Sequence, residues 1–136
     1  MPVFMHAFTH SLRVRYGECD AQKVVFNARY GDYVDVAVLE FMRALPMGKR
    51  FLNGELDYQL VKQTTEWMAS ARFDDELFIS VSPVRLGNTS FTLRADFRLA
   101  ADEDIIVSSE TVYVLVDGVT MAKQALPPDF RSALAV

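Results

Sequence analysis

The chain has 136 residues, of which 51% are hydrophobic and 24% charged, the composition of one soluble globular domain over residues 1–136. No stretch approaches the roughly 18 consecutive apolar residues of a membrane-spanning helix, so we expect no membrane association. A net charge of −4 argues against nucleic acid as a partner, because phosphate backbones are held by clustered lysine and arginine.

The N-terminal ten residues lack the basic leader and apolar stretch of a secretory signal, so we expect a cytoplasmic protein.

The first predicted element is a strand over residues 8–16, because apolar residues alternate with polar ones there. Phe8, Leu12, Val14 and Tyr16 form its predicted buried face.

The second predicted element is a helix of about 18 residues over residues 28–45, where apolar side chains recur three and four positions apart. Asn27 is the predicted N-cap, since its side chain can accept a hydrogen bond from a free backbone N–H. Pro46 and Gly48 are expected to end the helix.

Four strands are predicted after the helix, over residues 59–73, 74–87, 88–100 and 105–116. The clearest alternation places five side chains on a buried face: Phe91, Leu93, Ala95, Phe97 and Leu99. The last strand is apolar on both faces, which favours cover by a partner subunit. Residues 125–136 are expected to form an irregular tail or a final helical turn. This order predicts an α+β fold with an antiparallel sheet over a single helix.

Several kinds of site are excluded or disfavoured by missing motifs. The chain has no Gly-rich nucleotide cradle and no G-x-S-x-G nucleophile elbow. His6 and His10 would share one face of a strand but lie too far apart to hold an ion unaided, so we expect no metal. Cys19 is expected to be an inert thiol, because the charges of Glu18 and Asp20 oppose formation of a thiolate.

Asp20 has two possible roles. An aspartate between a strand and a helix can stabilise a chain reversal by bonding nearby backbone amides. Residues 21–27 are also few enough to turn back, which would place the carboxylate near the free N–H groups at the helix start. A carboxylate beside amide donors is half of an acyl-transfer site.

Two stretches carry a resemblance to a known family: "VRYGECDAQKVVFNARYGDYVDVAVLEFMR" over residues 14–43 and "EWMASARFDDELFISVSPVRLGNTSFTL" over residues 66–93. They resemble the hotdog-fold acyl-CoA thioesterases of the 4-hydroxybenzoyl-CoA thioesterase type. The resemblance implies a five-stranded antiparallel sheet wrapped around one long central helix. It also implies pairing with a second subunit into a continuous sheet, as a homodimer or homotetramer.

The resemblance further implies roles for individual residues. Asp20 would act as nucleophile or as general base toward water, and backbone N–H groups near Asn27 and Ala28 would hold the carbonyl oxygen. Tyr16 would lie beside the site, with a core aromatic as its alternative. This chain departs from the family at Lys23, where many members have glycine, and at Asn27, where a subgroup has histidine.

The implied substrate is an acyl-CoA thioester with a hydrophobic or aromatic acyl group, so coenzyme A is part of the substrate and no separate cofactor is expected. Arg85 is the first candidate for holding its phosphates, followed by Lys62 and Lys123, although each could be a solvated surface cation. Acyl-carrier protein is an alternative thiol carrier.

A non-catalytic acyl-ligand binder is the rival function, because proteins of one fold can have different activities. A hotdog dehydratase is disfavoured, since neither histidine falls at the position expected for it.

Overall fold

The computed structural model describes residues 8–100 and 103–135. His6 and residues 101 and 102 therefore lie outside the described residues. The strands are β1 (Phe8–Arg13), β2 (Leu56–Trp67), β3 (Glu76–Leu86), β4 (Ser90–Leu99) and β5 (Ile105–Asp117). The helices are α1 (Arg29–Ala44), α2 (Lys49–Leu52) and α3 (Pro128–Leu134).

The five strands form one antiparallel sheet in the order β1-β3-β4-β5-β2. The long helix α1 packs over the β1 and β3 side of the sheet and has few contacts with β2. One edge of β2 pairs with β5, and no other strand of the described residues covers its second edge. The predicted α+β architecture is thus confirmed, with a long unpaired edge strand at one side.

The core lies between α1 and the inner face of the sheet. Four of the five side chains predicted to face inward on β4 are buried, and Leu99 is half-buried. From α1, the rings of Tyr30 and Tyr33 pack against Phe97, with centroids 5.5 and 6.4 Å from it. The apolar stripe that predicted the helix is therefore the surface that α1 buries.

Strand β1 is shorter than predicted, because it ends at Arg13 and the chain then forms a 3₁₀ turn, Tyr16–Glu18. The turn is closed when a side-chain oxygen of Glu18 accepts the N–H of Arg15 at 2.9 Å. The alternation of apolar and polar residues does not by itself show where the hydrogen bonding between strands ends. Tyr16 is 81% exposed, so the core-aromatic interpretation of this residue is wrong.

The predicted N-cap at Asn27 is also wrong. Ala28 occupies the cap position, with helical backbone angles (φ −69°, ψ −20°) and no side-chain cap bond. A side-chain cap requires a residue with non-helical backbone just before the first helical one, and the chain has already turned into the helix here. At the other end, Leu45 is extended before Pro46, which excludes the helical region for the residue preceding it.

Two short helices supplement the prediction. Helix α2 spans one turn, too short for a periodic pattern to show in the sequence. Helix α3 confirms the helical alternative for the C-terminal residues and has seven residues. It begins at Pro128, a residue suited to a first helical position, and buries Phe130 and Leu134 on one side. Within the described residues, no helix has the length and apolar character needed to cross a membrane.

The last strand, β5, was predicted to be buried on both faces. In the single chain its inward side chains Tyr113 and Leu115 are buried. Of the outward side chains, Val116 is buried, whereas Val112 and Val114 are half-buried. The outer face of the sheet therefore remains partly open to solvent in one subunit.

Candidate active site

The segment around Asp20 forms a tight two-stranded ribbon. The N–H of Asp20 donates to the carbonyl of Val24, and the N–H of Lys23 donates to the carbonyl of Asp20, both at 2.9 Å. The Oδ1 atom of Asp20 accepts the N–H of Gln22 at 2.8 Å. The chain-reversal role of this aspartate is therefore confirmed, since its carboxylate bonds the backbone two residues later.

This role uses only one oxygen of the carboxylate. The second, Oδ2, has no hydrogen bond or ion pair to any residue in 8–100 or 103–135. Asp20 is half-buried and lines an open cavity of about 530 Å³. The other lining residues are Tyr16, Gly17, Cys19, Lys23 and Phe73. One carboxylate oxygen thus remains available to a ligand.

Lys23 has a left-handed backbone, with φ of 67°. It closes the turn that begins at Asp20, a position at which glycine is favoured because a Cβ atom disfavours this conformation. The chain therefore accepts backbone strain at Lys23, where many family members have glycine.

Replacing Lys23 with Gly is expected to raise the free energy of unfolding by about 0.5–1 kcal/mol. The change removes the energetic penalty of a left-handed backbone at a residue with a Cβ atom. Part of that gain is lost because glycine has a larger conformational entropy in the unfolded chain. Lys23→Ala is the matched control, because it removes the same charged side chain but keeps the Cβ atom. Urea unfolding of the three proteins measures the difference. A Gly variant no more stable than the Ala variant would show that this backbone is unstrained.

Glu18 and Tyr33 attach the ribbon to the helix. Glu18 Oε1 accepts the hydroxyl of Tyr33 at 2.8 Å, and Tyr33 itself is 4% exposed. Burial, followed by the bond to Glu18, raises the pKa of Tyr33 well above its ordinary value, so the hydroxyl remains a donor. The sequence interpretation missed this pair, because nothing in the spacing of the two residues indicates contact.

Cys19 faces the same cavity as Asp20. Burial and then the charges of Asp20, Glu18 and Asp75 raise the pKa of its thiol. The thiolate is therefore scarce at neutral pH, which makes Cys19 a poor nucleophile.

His10 was weighed as a metal ligand and is a half-buried residue of β1. Among residues 8–100 and 103–135, no three histidine, cysteine, aspartate or glutamate side chains lie close enough together to hold a metal ion.

The start of α1 presents free backbone donors. The N–H groups of residues 29–31 donate to carbonyls three positions earlier, at 2.8–3.4 Å. The N–H groups of Asn27 and Ala28 have no acceptor in the described part of the chain. They lie at the end of the helix where the dipole favours negative charge. Both residues are exposed and line a cavity of about 480 Å³, together with Tyr30, Gly31, Gln63, Thr64, Thr65 and Trp67.

The two halves of the expected site line different cavities in the single chain. Asp20 and Tyr16 line one, Asn27 and Ala28 line the other, and the two cavities share no lining residue. The backbone between them is held by Val25, whose N–H donates to the carbonyl of Ala71 at 2.9 Å.

The candidate coenzyme A residues are only partly brought together. Lys62 and Arg85 line one cavity of about 240 Å³ on the outer face of the sheet, along with Glu110. The carboxylate of Glu110 is already paired with Arg94 at 2.6 Å. Lys123 lies apart from this cavity, in a short bridge with Val116.

Comparison with known proteins agrees with the fold. A solved gentisyl-coenzyme A thioesterase superposes with a TM-score of 0.84 at 26% identity, covering 94% of this chain and 100% of that one. The sheet around one long helix is thus the hotdog fold of thioesterases. Residues 14–134 match the Thioesterase-like superfamily, and the chain belongs to that family.

Two relatives are similar in sequence over most of the chain. The acyl-CoA thioester hydrolase YbgC of Escherichia coli O6:H1 is 32% identical over 123 residues, which are 88% of this chain and 90% of the relative. The 1,4-dihydroxy-2-naphthoyl-CoA hydrolase of Nostoc punctiforme is 25% identical over 125 residues, which are 90% of this chain and 83% of the relative.

Proposed function

We propose that this protein hydrolyses acyl-CoA thioesters to a carboxylic acid and coenzyme A, with Asp20 as nucleophile or general base. The N–H groups of Asn27 and Ala28 would hold the carbonyl oxygen of the substrate. The observation that carries the proposal is this pair of unpartnered donors at the start of α1. The unpaired oxygen of Asp20 and the membership in a thioesterase family support it.

Either route conserves atoms and charge. In the general-base route Asp20 takes a proton from water, the water oxygen bonds to the carbonyl carbon, and the carbon–sulfur bond breaks to release the thiolate. In the nucleophilic route the Asp20 oxygen bonds to that carbon first, and the carbon–sulfur bond breaks to release the thiolate. Water then cleaves the resulting anhydride, which frees the carboxylic acid and restores the carboxyl group of Asp20. Both pass through an oxyanion, for which one well-placed donor is typically worth about 3 to 4 kcal/mol.

The absence of a histidine at position 27 is compatible with this chemistry. A thiol has a pKa of roughly 8.5, so the sulfur can depart as the thiolate anion and take up a proton from water afterwards. The leaving group therefore needs little help from a general acid. Asp20 can supply the one proton transfer that the reaction requires.

The proposal includes assembly into a homodimer or homotetramer through β2. This strand has 12 residues and one unpaired edge, and it carries exposed apolar side chains that a second copy would cover. The exposed apolar residues on or just after β2 are Leu60 (49%), Val61 (60%), Trp67 (50%) and Met68 (57%). Trp67 also lines the cavity at the helix start, so this edge adjoins the proposed site.

Lys62 and Arg85 are proposed to hold the phosphates of coenzyme A, since both are exposed and neither is in an ion pair with another described residue. Lys123 is the weaker candidate because it lies outside their cavity. Acyl-carrier protein remains the alternative carrier of the thioester, and a non-catalytic acyl-ligand binder remains the rival function.

Release of free thiol tests the proposal. The purified protein is mixed with a panel of aliphatic and aromatic acyl-CoA thioesters and with one acyl-carrier thioester, and thiol is followed with a chromogenic disulfide. We expect catalytic release from at least one acyl-CoA. Saturable binding of the panel without release would instead establish the binder.

A further inference from the structure

Glu18 connects both arms of the ribbon that carries Asp20 to the long helix. Its backbone carbonyl accepts the N–H of Phe26 at 3.0 Å, and Phe26 directly precedes Asn27, one of the two proposed carbonyl-holding residues. Its side-chain oxygen Oε1 accepts the hydroxyl of Tyr33 on α1 at 2.8 Å. Asp20 follows Glu18 by two positions. One residue therefore links the proposed carboxylate, the proposed amide donors and the helix.

The ribbon has little other anchorage in the core. Among residues 15–28, the side chain of Val25 is buried, and all the others are half-buried or exposed. The N–H of Val25 also donates to the carbonyl of Ala71 at 2.9 Å. A segment that is buried at one point can tilt about that point unless a second contact fixes its angle. The hydrogen bond between Glu18 and Tyr33 is such a contact.

The hydroxyl of Tyr33 is not needed for the packing of α1. The ring lies with its centroid 6.4 Å from that of Phe97 and 5.8 Å from that of Tyr30, contacts that a phenylalanine would also make. Tyr33 is 4% exposed, and a buried hydroxyl costs stability unless it is hydrogen-bonded. What the hydroxyl adds to the ring is therefore its connection to the ribbon.

We propose that Glu18 and Tyr33 are positioning residues for thioester hydrolysis, and that their hydrogen bond sets the angle of the ribbon on α1. The inference rests on the proposed function, because it takes a carbonyl held at Asn27 and Ala28 as the target of Asp20. Asp20 lies on the ribbon and the two amides lie at the helix start, so a tilt of the ribbon changes the distance from carboxylate to carbonyl. A misplacement of about 1 Å in a reacting group can lower a rate by about a hundredfold.

The position of the pair predicts which kinetic constant it affects. Neither Glu18 nor Tyr33 lines the cavity of Asp20 or the cavity at the helix start. Loss of their hydrogen bond should therefore leave the contacts to bound substrate in place and disturb the reacting geometry. We expect kcat to fall while KM for acyl-CoA stays within about twofold of the wild-type value.

Thiol release by four variants tests the proposal, after circular dichroism has shown that each is folded at the assay temperature. Tyr33→Phe keeps the ring and removes the hydroxyl, and it should lower kcat by roughly ten- to a hundredfold. Glu18→Ala should cause a similar loss. Glu18→Gln should retain most of the activity, because its amide oxygen can accept the same hydrogen bonds. Tyr113→Phe is the matched control, since Tyr113 is 2% exposed and its hydroxyl has no hydrogen-bond partner among the described residues.

The Asp20→Asn protein separates positioning from a general weakening of the fold. Its residual rate above the uncatalysed reaction is measured with and without Tyr33→Phe. If the pair acts through Asp20, the second change should lower this residual rate by less than about twofold, because residues that act as a unit are not additive. If the pair only stabilises the fold, the same factor should be lost with either residue at position 20.

Several results would overturn the positioning role while leaving thioester hydrolysis intact. These are a wild-type kcat in Tyr33→Phe, a Glu18→Gln protein as slow as Glu18→Ala, a loss as large in Tyr113→Phe, and equal losses with Asp and Asn at position 20. Failure of the wild type to release thiol from any thioester would instead overturn the proposed function, and this inference with it.

Discussion

Asp20→Asn is expected to lower kcat by roughly 10² to 10⁴, the effect of losing a general base, and by more if Asp20 is the covalent nucleophile. The change removes the negative charge but retains an oxygen able to accept the N–H of Gln22, the bond that holds the turn. The fold should therefore persist, with an unchanged circular dichroism spectrum and a similar Tm. Thiol release at saturating acyl-CoA measures the loss.

Cys19→Ala is the matched control for this prediction, because Cys19 is adjacent and lines the same cavity. We expect it to retain most of the turnover, since its thiol has a raised pKa. Near-normal turnover by a pure Asp20→Asn sample would exclude the proposed chemistry. A single turnover in ¹⁸O-labelled water tests the nucleophilic route, since label enters the Asp20 carboxylate only if water cleaves an anhydride at the aspartyl carbon.

Val61→Lys is expected to convert the proposed assembly to a monomer. Val61 lies at the irregularity of β2 between Leu60 and Lys62, and it is 60% exposed in the single chain. A lysine at this position would lose its hydrating water when the β2 edges of two subunits pair, and the two subunits would bring like charges to the same interface. Turnover should fall by at least about tenfold, because the nearby cavity at the helix start would lose its cover from water.

Val119→Lys provides the control, since Val119 is 83% exposed in the turn after β5, beyond Asp117, which pairs with the first residue of β2. Light scattering coupled to size-exclusion chromatography gives the mass of each variant. A wild-type protein that runs as a monomer, or a Val61→Lys variant with the mass of the wild type, would rule out assembly through this edge.

The elements of the fold were largely predictable, because the periods of helix and strand are local properties of the chain. Helix α1 was predicted over 28–45 and spans Arg29–Ala44. Its start was misplaced at Asn27, since the backbone angle that makes a cap depends on how the preceding ribbon enters the helix. Strand β1 was overextended to Tyr16 for a similar reason, because the turn that ends it depends on Glu18.

The candidate site was predictable only in part. Asp20 was singled out by its position between strand and helix, and its turn bond to Gln22 is local. The pairing of Glu18 with Tyr33, 15 residues apart, and of Gln63 with Thr111, 48 residues apart, could not be inferred, because neither follows from a periodic pattern. That Lys62 and Arg85 line one cavity could not be inferred either, because it depends on the order of the strands in the sheet.

The sequence by itself determined the class of fold, the inward face of β4 and the acidic residue at the turn, since each depends on neighbours within a few positions. Only the tertiary structure decided that Asp20 and the start of α1 line different cavities in one chain, and that Gln63 of β2 donates a hydrogen bond to Thr111 of β5. Both depend on packing between segments distant in the chain, where many arrangements satisfy the same local pattern.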